Sequence, residues 1–219
     1  MKLKILQMVI LLLINKFNAS LISLSDVFIL KIIYIGGKFY MKEAVIVIDM
    51  VNDFVTGKFK NEYAQQIIPA TQQLLTAAHY HHVPVIYCCD AHLPHDFELK
   101  VWGEHCMDGT WGAQIIPELK PQSQDYVLKK RTYCAFFQTG LDSLSRELNV
   151  KNIILTGVVT NICVINSAAA GFFNGYHVIV PPETTASTTT DKTQSSLKYM
   201  QHNYATEITA VKDIIKQWQ

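Results

Sequence analysis

Two short runs of apolar residues, each followed by an aspartate, constrain the fold of this chain most strongly. Residues 44–48 read AVIVI and precede Asp49, and residues 85–89 read VIYCC and precede Asp90. Continuous apolar runs of this length are typical of strands buried on both faces, as in a parallel sheet covered by helices. Between them, apolar residues recur at helical spacing over residues 62–82. The pattern therefore predicts a strand, a helix and a second, parallel strand.

The same alternation continues to the C-terminus. Further strands are predicted at residues 125–130, 152–157, 177–180 and 207–209. Further helices are predicted at residues 139–148, 161–174, 187–202 and 211–218. Six strands with interleaved helices predict an α/β fold, namely a three-layer α/β/α domain with a mainly parallel six-stranded sheet.

Residues 1–40 do not follow this pattern. They carry five Lys and one Asp, and their longest apolar stretch is too short for a membrane-spanning helix of about 20 residues. A basic start followed by this stretch is signal-like, with a candidate cleavage site before Ser20. Alternatively, the Gly-Gly pair shortly before Met41 is the translation of a purine-rich ribosome-binding site, and Met41 is the true start. We expect residues 1–40 to be a disordered leader of one of these kinds, and residues 41–219 to form one domain.

Composition narrows the class of protein. The 219-residue chain is 49% hydrophobic and carries 19 basic and 18 acidic residues, so its formal net charge is +1. Such a chain has no strong field to attract nucleic acid or an anionic membrane, and we expect neither as a partner. Its five cysteines are an odd number and include no CxxC pair, which argues against a disulfide scaffold or a thiolate zinc finger. Reduced thiols predict a cytoplasmic protein.

Side chains capable of chemistry follow several of the predicted strands. Ligands of parallel sheets bind beyond the carboxyl ends of the strands, where Asp49, Asp90, Lys130 and the turn at residues 157–163 are expected to converge. Cys163 lies where a strand gives way to a helix, and the positive helix end would lower its pKa and favour the thiolate. Asp49 could accept the thiol proton, and free N–H groups at the turn could hold an oxyanion. The alternatives are a buried structural cysteine, a turn aspartate and a solvated lysine.

The polar segment at residues 91–112 is too long for a simple connection and is a candidate functional loop. With the residue before it, this loop offers imidazole and carboxylate groups at Asp90, His92, His95, Asp96, Glu98 and His105. Two imidazoles with one or two carboxylates suit zinc, manganese or iron, with positions left open for water. The alternative is a polar loop with incidental histidines.

Three segments carry a resemblance to a known family. They are residues 47–54 (VIDMVNDF), 130–136 (KRTYCAF) and 157–164 (GVVTNICV). In this order and spacing they resemble the isochorismatase-like cysteine hydrolases, and within them the nicotinamidases, over essentially all of residues 41–219. The resemblance implies the isochorismatase-like hydrolase fold.

The resemblance also implies roles for individual residues. Asp49, Lys130 and Cys163 would form a catalytic triad. The backbone amides of Val159 and Cys163 would form the oxyanion hole. A cis peptide bond is implied between Val158 and Val159.

A metal site is implied as well. It would hold a divalent transition metal, namely zinc, manganese or iron. Asp90, His92 and His105 would be ligands, and either Glu98 or His95 would complete the set.

The resemblance places substrate contacts at three further positions. Phe54 and Trp102 match an aromatic pair that sandwiches a pyridine ring, and Val158 is a third expected contact. The sequence also departs from the nicotinamidase pattern. The segment between the ligand histidines is short, Gly103-Glu104 replaces a common Pro-Pro pair, and Cys134 stands where Ser is usual. These departures would reshape the pocket.

The function implied by the resemblance is that of a nicotinamidase in pyridine nucleotide salvage. Such an enzyme is a metal-dependent amidohydrolase that converts nicotinamide to nicotinate and ammonia through a cysteine thioester. The alternative is a metal-free member of the superfamily that acts on isochorismate or on a ureido or carbamoyl compound. We expect a small-molecule amide as the substrate and a homo-oligomer as the state of the protein.

Overall fold

The computed structural model describes residues 42–219, and the predictions for residues 1–40 lie outside this range. The strands within it are β1 (Glu43–Ile48), β2 (Val85–Asp90), β3 (Tyr126–Lys130), β4 (Asn152–Val158), β5 (His177–Val180), β6 (Thr185–Ala186) and β7 (Glu207–Ile208). They form one sheet in the order β3-β2-β1-β4-β5-β7, with β6 paired to β4. Each pairing is parallel.

The predicted strands are all present, but the described part of the chain has seven strands and not six. The additional strand, β6, has two residues and follows a 3₁₀ turn at Pro182–Thr184. Its residues pair with Gly157 and Val158 at the carboxyl end of β4. Two residues are too few to produce a periodic pattern, so the sequence gives no sign of this strand.

The helices lie between the strands. They are α1 (Asn52–Val55), α2 (Glu62–Gln66), α3 (Ile68–Tyr80), α4 (Leu99–Trp102), α5 (Leu141–Glu147), α6 (Ile165–Phe173), α7 (Thr190–Tyr204) and α8 (Val211–Trp218). Within residues 42–219, none of them has both the length and the apolar content needed to cross a membrane.

The helix predicted over residues 62–82 is in fact two helices, α2 and α3. The side chain of Asn61 accepts a hydrogen bond from the N–H of Tyr63 and caps α2. Pro69 lies in the first turn of α3, where its missing N–H needs no partner. In the interior of one continuous helix it would remove a hydrogen bond and clash with the preceding turn, so a new helix begins at Ile68.

Alternate residues of β1 enter two separate hydrophobic cores. On one face of the sheet, Val45 and Val47 pack with residues of α3 and α8. On the other face, Ala44, Ile46 and Ile48 pack with residues of α5, α6 and α7. Helices therefore cover both faces, which confirms the predicted three-layer α/β/α architecture.

The strand order fixes the position of a crevice. From β1 the chain proceeds outward to β2 and β3, and then returns to β4 on the other side of β1. The carboxyl ends of β1 and β4 therefore flank a topological switch point, where ligands bind in open α/β sheets. Gly157 has a φ of +109°, and a Cβ atom at this position would overlap the carbonyl of Ile48. Glycine thus allows the two strand ends to lie close together.

Candidate active site

Three side chains from separate segments meet beyond the carboxyl ends of the strands. The Nζ of Lys130 lies 2.8 Å from Oδ2 of Asp49 and 3.9 Å from Sγ of Cys163. A carboxylate oxygen of Asp49 and the sulfur of Cys163 lie within 4.8 Å of each other. All three residues are buried. The structure thus brings the predicted acid, amine and thiol together.

The ends of β1, β2 and β3 position the acid and the amine. Asp49 follows β1 in the left-handed region, with a φ of 55°, and its Oδ1 accepts a hydrogen bond of 2.8 Å from the N–H of Asp90. Lys130, the last residue of β3, is paired with Asp90 in the sheet. Its Nζ also contacts Oδ1 of Asp90 at 2.5 Å and the carbonyl of Thr132 at 3.1 Å. Asp90, Thr132 and the Cys163 sulfur thus accept hydrogen bonds from the ammonium group, and Asp49 forms an ion pair with it.

These contacts set the charges of the acid and the amine. Burial, reinforced by the charge of Asp90, raises the pKa of Asp49 to about 6. Burial alone would lower the pKa of Lys130, but Asp49 and Asp90 raise it well above its ordinary value. Lys130 therefore stays charged, whereas Asp49 can exchange a proton near neutral pH.

The expectation of a lowered thiol pKa is wrong. Burial raises the pKa of Cys163 well above its ordinary value, the charge of Lys130 opposes this rise, and the charge of Asp49 adds to it. Cys163 is 4% exposed. A helix end favours a nearby negative charge by about 0.3–2 kcal/mol, whereas full burial of an ionisable group shifts its pKa by up to about 3–5 units, so burial outweighs the dipole. The resting form is therefore the thiol, and a base has to remove its proton.

The turn that carries Cys163 has an unusual backbone. The peptide bond between Val158 and Val159 is cis, as the resemblance implies. A π-helical turn follows over Thr160–Val164, and the carbonyl of Val159 accepts hydrogen bonds from Ile162 at 3.0 Å and from Val164 at 3.3 Å. Single π turns inside helices are frequent at functional sites.

Side-chain hydrogen bonds hold this turn in place. The hydroxyls of Thr160 and Thr185 lie 2.9 Å apart, and the Thr185 hydroxyl also donates to the carbonyl of Gly157. The Ser167 hydroxyl donates to the carbonyl of Cys163 at 2.7 Å. The thiol is therefore attached to a rigid segment of the backbone.

A second cluster of ionisable groups lies beside the first. One ligand atom from each of Asp90, His92, Glu98 and His105 falls within 4.8 Å of the others, and all four residues are buried. His95, the predicted alternative to Glu98, is exposed and lies outside this cluster. Asp90 belongs to both clusters, since its Oδ1 contacts Lys130 and its Oδ2 lies 3.6 Å from Nε2 of His92.

The two histidines point the same nitrogen into the cluster. Nδ1 of His92 lies 3.2 Å from Oδ2 of Asp96, and Nδ1 of His105 lies 2.8 Å from the carbonyl of Gly103. Both partners are acceptors, so each Nδ1 carries the proton and each Nε2 has a free lone pair. This arrangement is typical of histidine ligands to metals.

The cluster is short of positive charge. Oδ2 of Asp90, Nε2 of His92 and Oε2 of Glu98 are buried and have no hydrogen-bond partner among residues 42–219. Burial and the charge of Asp90 raise the pKa of Glu98 to about 7. Buried polar atoms normally have partners, and a divalent cation would supply one to each of these atoms. A set of two imidazoles and two carboxylates fits zinc, manganese or iron.

A cavity of about 130 Å³ opens between the two clusters. It is lined by Phe54, Phe59, Asn61, Glu98, Trp102, His105, Tyr133, Val159, Ile162, Cys163 and Thr188. Cavities of about 150 Å³ accommodate a benzene ring, so this one has the size of a single-ring site.

Two of the residues that line the cavity are predicted substrate contacts, and others are not predicted. Phe54 and Trp102 line it as expected, but Phe59 lies beside both, with ring centroids 5.9 and 6.3 Å away. Tyr133 accepts a hydrogen bond of 2.8 Å from the indole N–H of Trp102. Val158, the third expected contact, is not among the residues that line the cavity, and its side chain is buried in the core. Phe59 and Tyr133 lie in irregular segments without a period to identify them.

The fold and this arrangement define a cysteine-dependent hydrolase. The family model of the isochorismatase domain matches residues 43–212, and the chain belongs to this family. The uncharacterised isochorismatase family protein YaaI of Bacillus subtilis (strain 168) is 29% identical over 177 residues, which are 80% of this chain and 97% of that protein.

Two crystal structures of enzymes are also similar. N-carbamoylsarcosine amidase from Thermoplasma acidophilum has 31% sequence identity and a TM-score of 0.75, over 78% of this chain and 97% of that chain. Pyrazinamidase/nicotinamidase from Streptococcus mutans UA159 has 29% identity and a TM-score of 0.72, over 76% of this chain and 99% of that chain. The predicted family and fold are thus confirmed, and the two neighbours are named for different substrates.

Proposed function

We propose that this isochorismatase-family hydrolase is a metal-dependent amidohydrolase that converts nicotinamide to nicotinate and ammonia, within pyridine nucleotide salvage. The proposal depends on one observation: a buried thiol, four candidate metal ligands and an aromatic cavity lie next to each other. Cys163, Glu98 and His105 all line the cavity. A small aromatic amide can therefore contact the sulfur and the metal site together.

In the first half of the reaction, Asp49 acts as the base. Its carboxylate takes the proton of the Cys163 thiol, and the sulfur attacks the carboxamide carbon of the substrate. The carbonyl oxygen becomes an oxyanion that accepts hydrogen bonds from the amides of Val159 and Cys163. The carbon–nitrogen bond then breaks, Asp49 gives its proton to the leaving nitrogen, and ammonia departs from a thioester.

In the second half, water replaces ammonia. Asp49 takes a proton from the water as its oxygen attacks the thioester carbon, and the carbon–sulfur bond breaks. The sulfur regains a proton from Asp49, and the acid product loses its own proton to solvent and is released as nicotinate. Lys130, which stays charged throughout, stabilises the carboxylate of Asp49 and the sulfur while they carry negative charge.

Asp90, His92, Glu98 and His105 would hold the metal, which we propose to be zinc, manganese or iron. When bound, the ion supplies a Lewis acid at the cavity wall, suited to binding a ring nitrogen or to lowering the pKa of a water molecule. The rings of Phe54, Phe59 and Trp102 supply an apolar surface for an aromatic ring.

A carbamoyl or ureido amidase is the second candidate, because N-carbamoylsarcosine amidase shares 31% identity with this chain. The same thiol, acid and amine would serve such a substrate, as they would in an isochorismatase. The aromatic cavity and the unpartnered ligand atoms favour nicotinamide, since an aliphatic ureido compound needs neither.

Ammonia release from a substrate panel tests the choice. The panel comprises nicotinamide, pyrazinamide, N-carbamoylsarcosine and ureidoacrylate. Each compound is assayed with and without a chelator, and the Cys163→Ala variant serves as the blank. We expect nicotinamide to have the highest kcat/KM and the chelator to abolish its hydrolysis. A preference for a carbamoyl compound that is unaffected by the chelator would contradict the proposal.

We further propose that the protein is cytoplasmic, that it forms a homo-oligomer and that its domain begins at Met41. All five cysteines are free thiols, which supports a reducing compartment. Sedimentation measures the oligomeric state, and N-terminal sequencing of the native protein identifies the start. A mature end at Ser20 would favour export instead.

A further inference from the structure

Asp96 and Arg131 connect the loop that carries His92 to the strand end that carries Lys130. Asp96 is 6% exposed, whereas the side chain of Arg131 is 57% exposed. Arg131 directly follows Lys130, the last residue of β3. The two residues therefore join the metal-ligand cluster to the thiol cluster from outside the cavity.

Asp96 fixes the orientation of the His92 ring. Its Oδ2 lies 3.2 Å from Nδ1 of His92 and also accepts a hydrogen bond of 2.9 Å from the N–H of Leu93. An ionised carboxylate can only accept, so the ring carries its proton on Nδ1. The lone pair of Nε2 then faces Asp90 and Glu98, whose nearest oxygen atoms lie 3.6 and 3.9 Å away.

Arg131 in turn fixes Asp96. Its Nε lies 2.8 Å from Oδ1 and 3.1 Å from Oδ2 of the carboxylate, and its terminal nitrogen also bonds Oδ1. A guanidinium group that contacts both oxygens defines the plane of the carboxylate as well as its position. A surface side chain thereby determines the direction of a buried imidazole.

We propose that Asp96 and Arg131 are positioning residues for the metal: Asp96 holds His92 with Nε2 directed at the ion, and Arg131 holds Asp96. Partners of metal ligands of this kind typically change metal affinity about 10- to 100-fold when they are removed. The inference rests on the metal of the proposed function and is independent of nicotinamide as the substrate.

The chain offers a matched control pair. Arg146 and Asp142 also form an arginine–carboxylate ion pair, at 3.2 Å, and both side chains are partly exposed. Neither residue belongs to the metal-ligand cluster or lines the cavity. Arg146→Ala therefore removes the same type of side chain without touching a ligand.

The test measures zinc affinity of the full-length protein by competition with a chromophoric chelator. We expect Arg131→Ala and Asp96→Ala to weaken zinc binding at least tenfold and Arg146→Ala to change it less than twofold. Arg131→Lys keeps the charge but loses the planar fork, and should fall between the wild type and Arg131→Ala. Circular dichroism of each variant checks that it is folded.

Cobalt substitution adds a readout that a general loss of stability would not change. A reoriented His92 should alter the visible ligand-field bands of the cobalt protein in Arg131→Ala and leave them unchanged in Arg146→Ala. Zinc affinities of both Arg131→Ala and Asp96→Ala within fivefold of wild type would overturn the inference. Weaker binding with a wild-type cobalt spectrum would also overturn it, because the residues would then act only on the fold.

The outcome can be separated from that of the substrate assay. A wild-type protein that binds zinc but releases no ammonia from nicotinamide would contradict the proposed substrate, and the affinity comparison would still decide this inference. A wild-type protein that binds neither zinc, manganese nor iron would overturn the inference together with the metal of the proposed function.

Discussion

The thiol cluster and the metal-ligand cluster, which share Asp90, obtain their positive charge in different ways. Around the thiol, the charges of Asp49 and Asp90 face the ammonium group of Lys130, a cation that the chain itself supplies. Around His92 and Glu98, buried nitrogen and oxygen atoms have no hydrogen-bond partner among residues 42–219. The first cluster therefore has its cation once the chain has folded, whereas the second needs a cation from solution. Folding and ion supply are thus separate requirements of one site.

The largest expected effect on activity follows from removal of the Cys163 sulfur. Cys163→Ala should lower kcat for ammonia release by about 10⁴-fold or more, because no other group can form the thioester. The variant should still fold and bind zinc. Ammonia production by steady-state assay measures the loss, with Cys134→Ala as a control that keeps its activity. Residual activity above one tenth of wild type would exclude Cys163 as the nucleophile.

Removal of the Lys130 ammonium group should lower the free energy of unfolding, and added metal should not restore it. Lys130→Met keeps the side-chain length but leaves two buried carboxylates without their partner, and we expect a loss of about 3–5 kcal/mol in the free energy of unfolding. Lys129→Met, at the exposed neighbouring position, should change it by less than about 0.5 kcal/mol. Urea unfolding in the presence of zinc measures both. Equal stabilities of the two variants would contradict the difference between the clusters.

The exchangeable cation should stabilise the folded protein by an amount that rises with the logarithm of its concentration. Zinc at 100 times its dissociation constant should raise the free energy of unfolding by about 2.7 kcal/mol, and a chelator should reverse the gain. His105→Ala should show a much smaller gain, because one of the four candidate ligands is missing. Thermal unfolding across a zinc titration provides the measurement. A wild-type midpoint that does not move with zinc would remove the distinction between the clusters.

The smallest expected effect concerns the cavity wall that lies between the clusters. Trp102→Phe and Tyr133→Phe each remove one end of a hydrogen bond and keep a ring in the wall. We expect a coupling energy of about 0.5–1.5 kcal/mol between them in kcat/KM for nicotinamide. A double-mutant cycle gives this value. Strictly additive effects would mean that the bond does not contribute to substrate binding.

The sequence predicts the parts of the site that lie at strand ends. Asp49, Asp90 and Lys130 follow apolar or periodic runs, and parallel strands end at one edge of a sheet, so their convergence can be inferred without coordinates. The pKa of Cys163 could not be inferred, because the local helix end is visible in the sequence whereas burial by distant segments is not.

Loops account for most of what the sequence misses. Phe59, Asp96 and Arg131 have no periodic neighbours, and their positions depend on how two irregular segments fold against each other. Val158 differs from these residues, since it ends β4 and the alternation of side chains along this strand directs it into the core. Prediction therefore succeeds where regular backbone fixes direction and fails where only tertiary contacts do.

The glycine at position 157 determines how far apart the reacting groups are. Even a methyl group there would have to displace the Ile48 carbonyl, and Asp49 is the next residue along the chain. Such a displacement would change the gap across which a proton has to pass from sulfur to carboxylate. The spacing of the proton donor and acceptor is thus set by the absence of one carbon atom on the neighbouring strand.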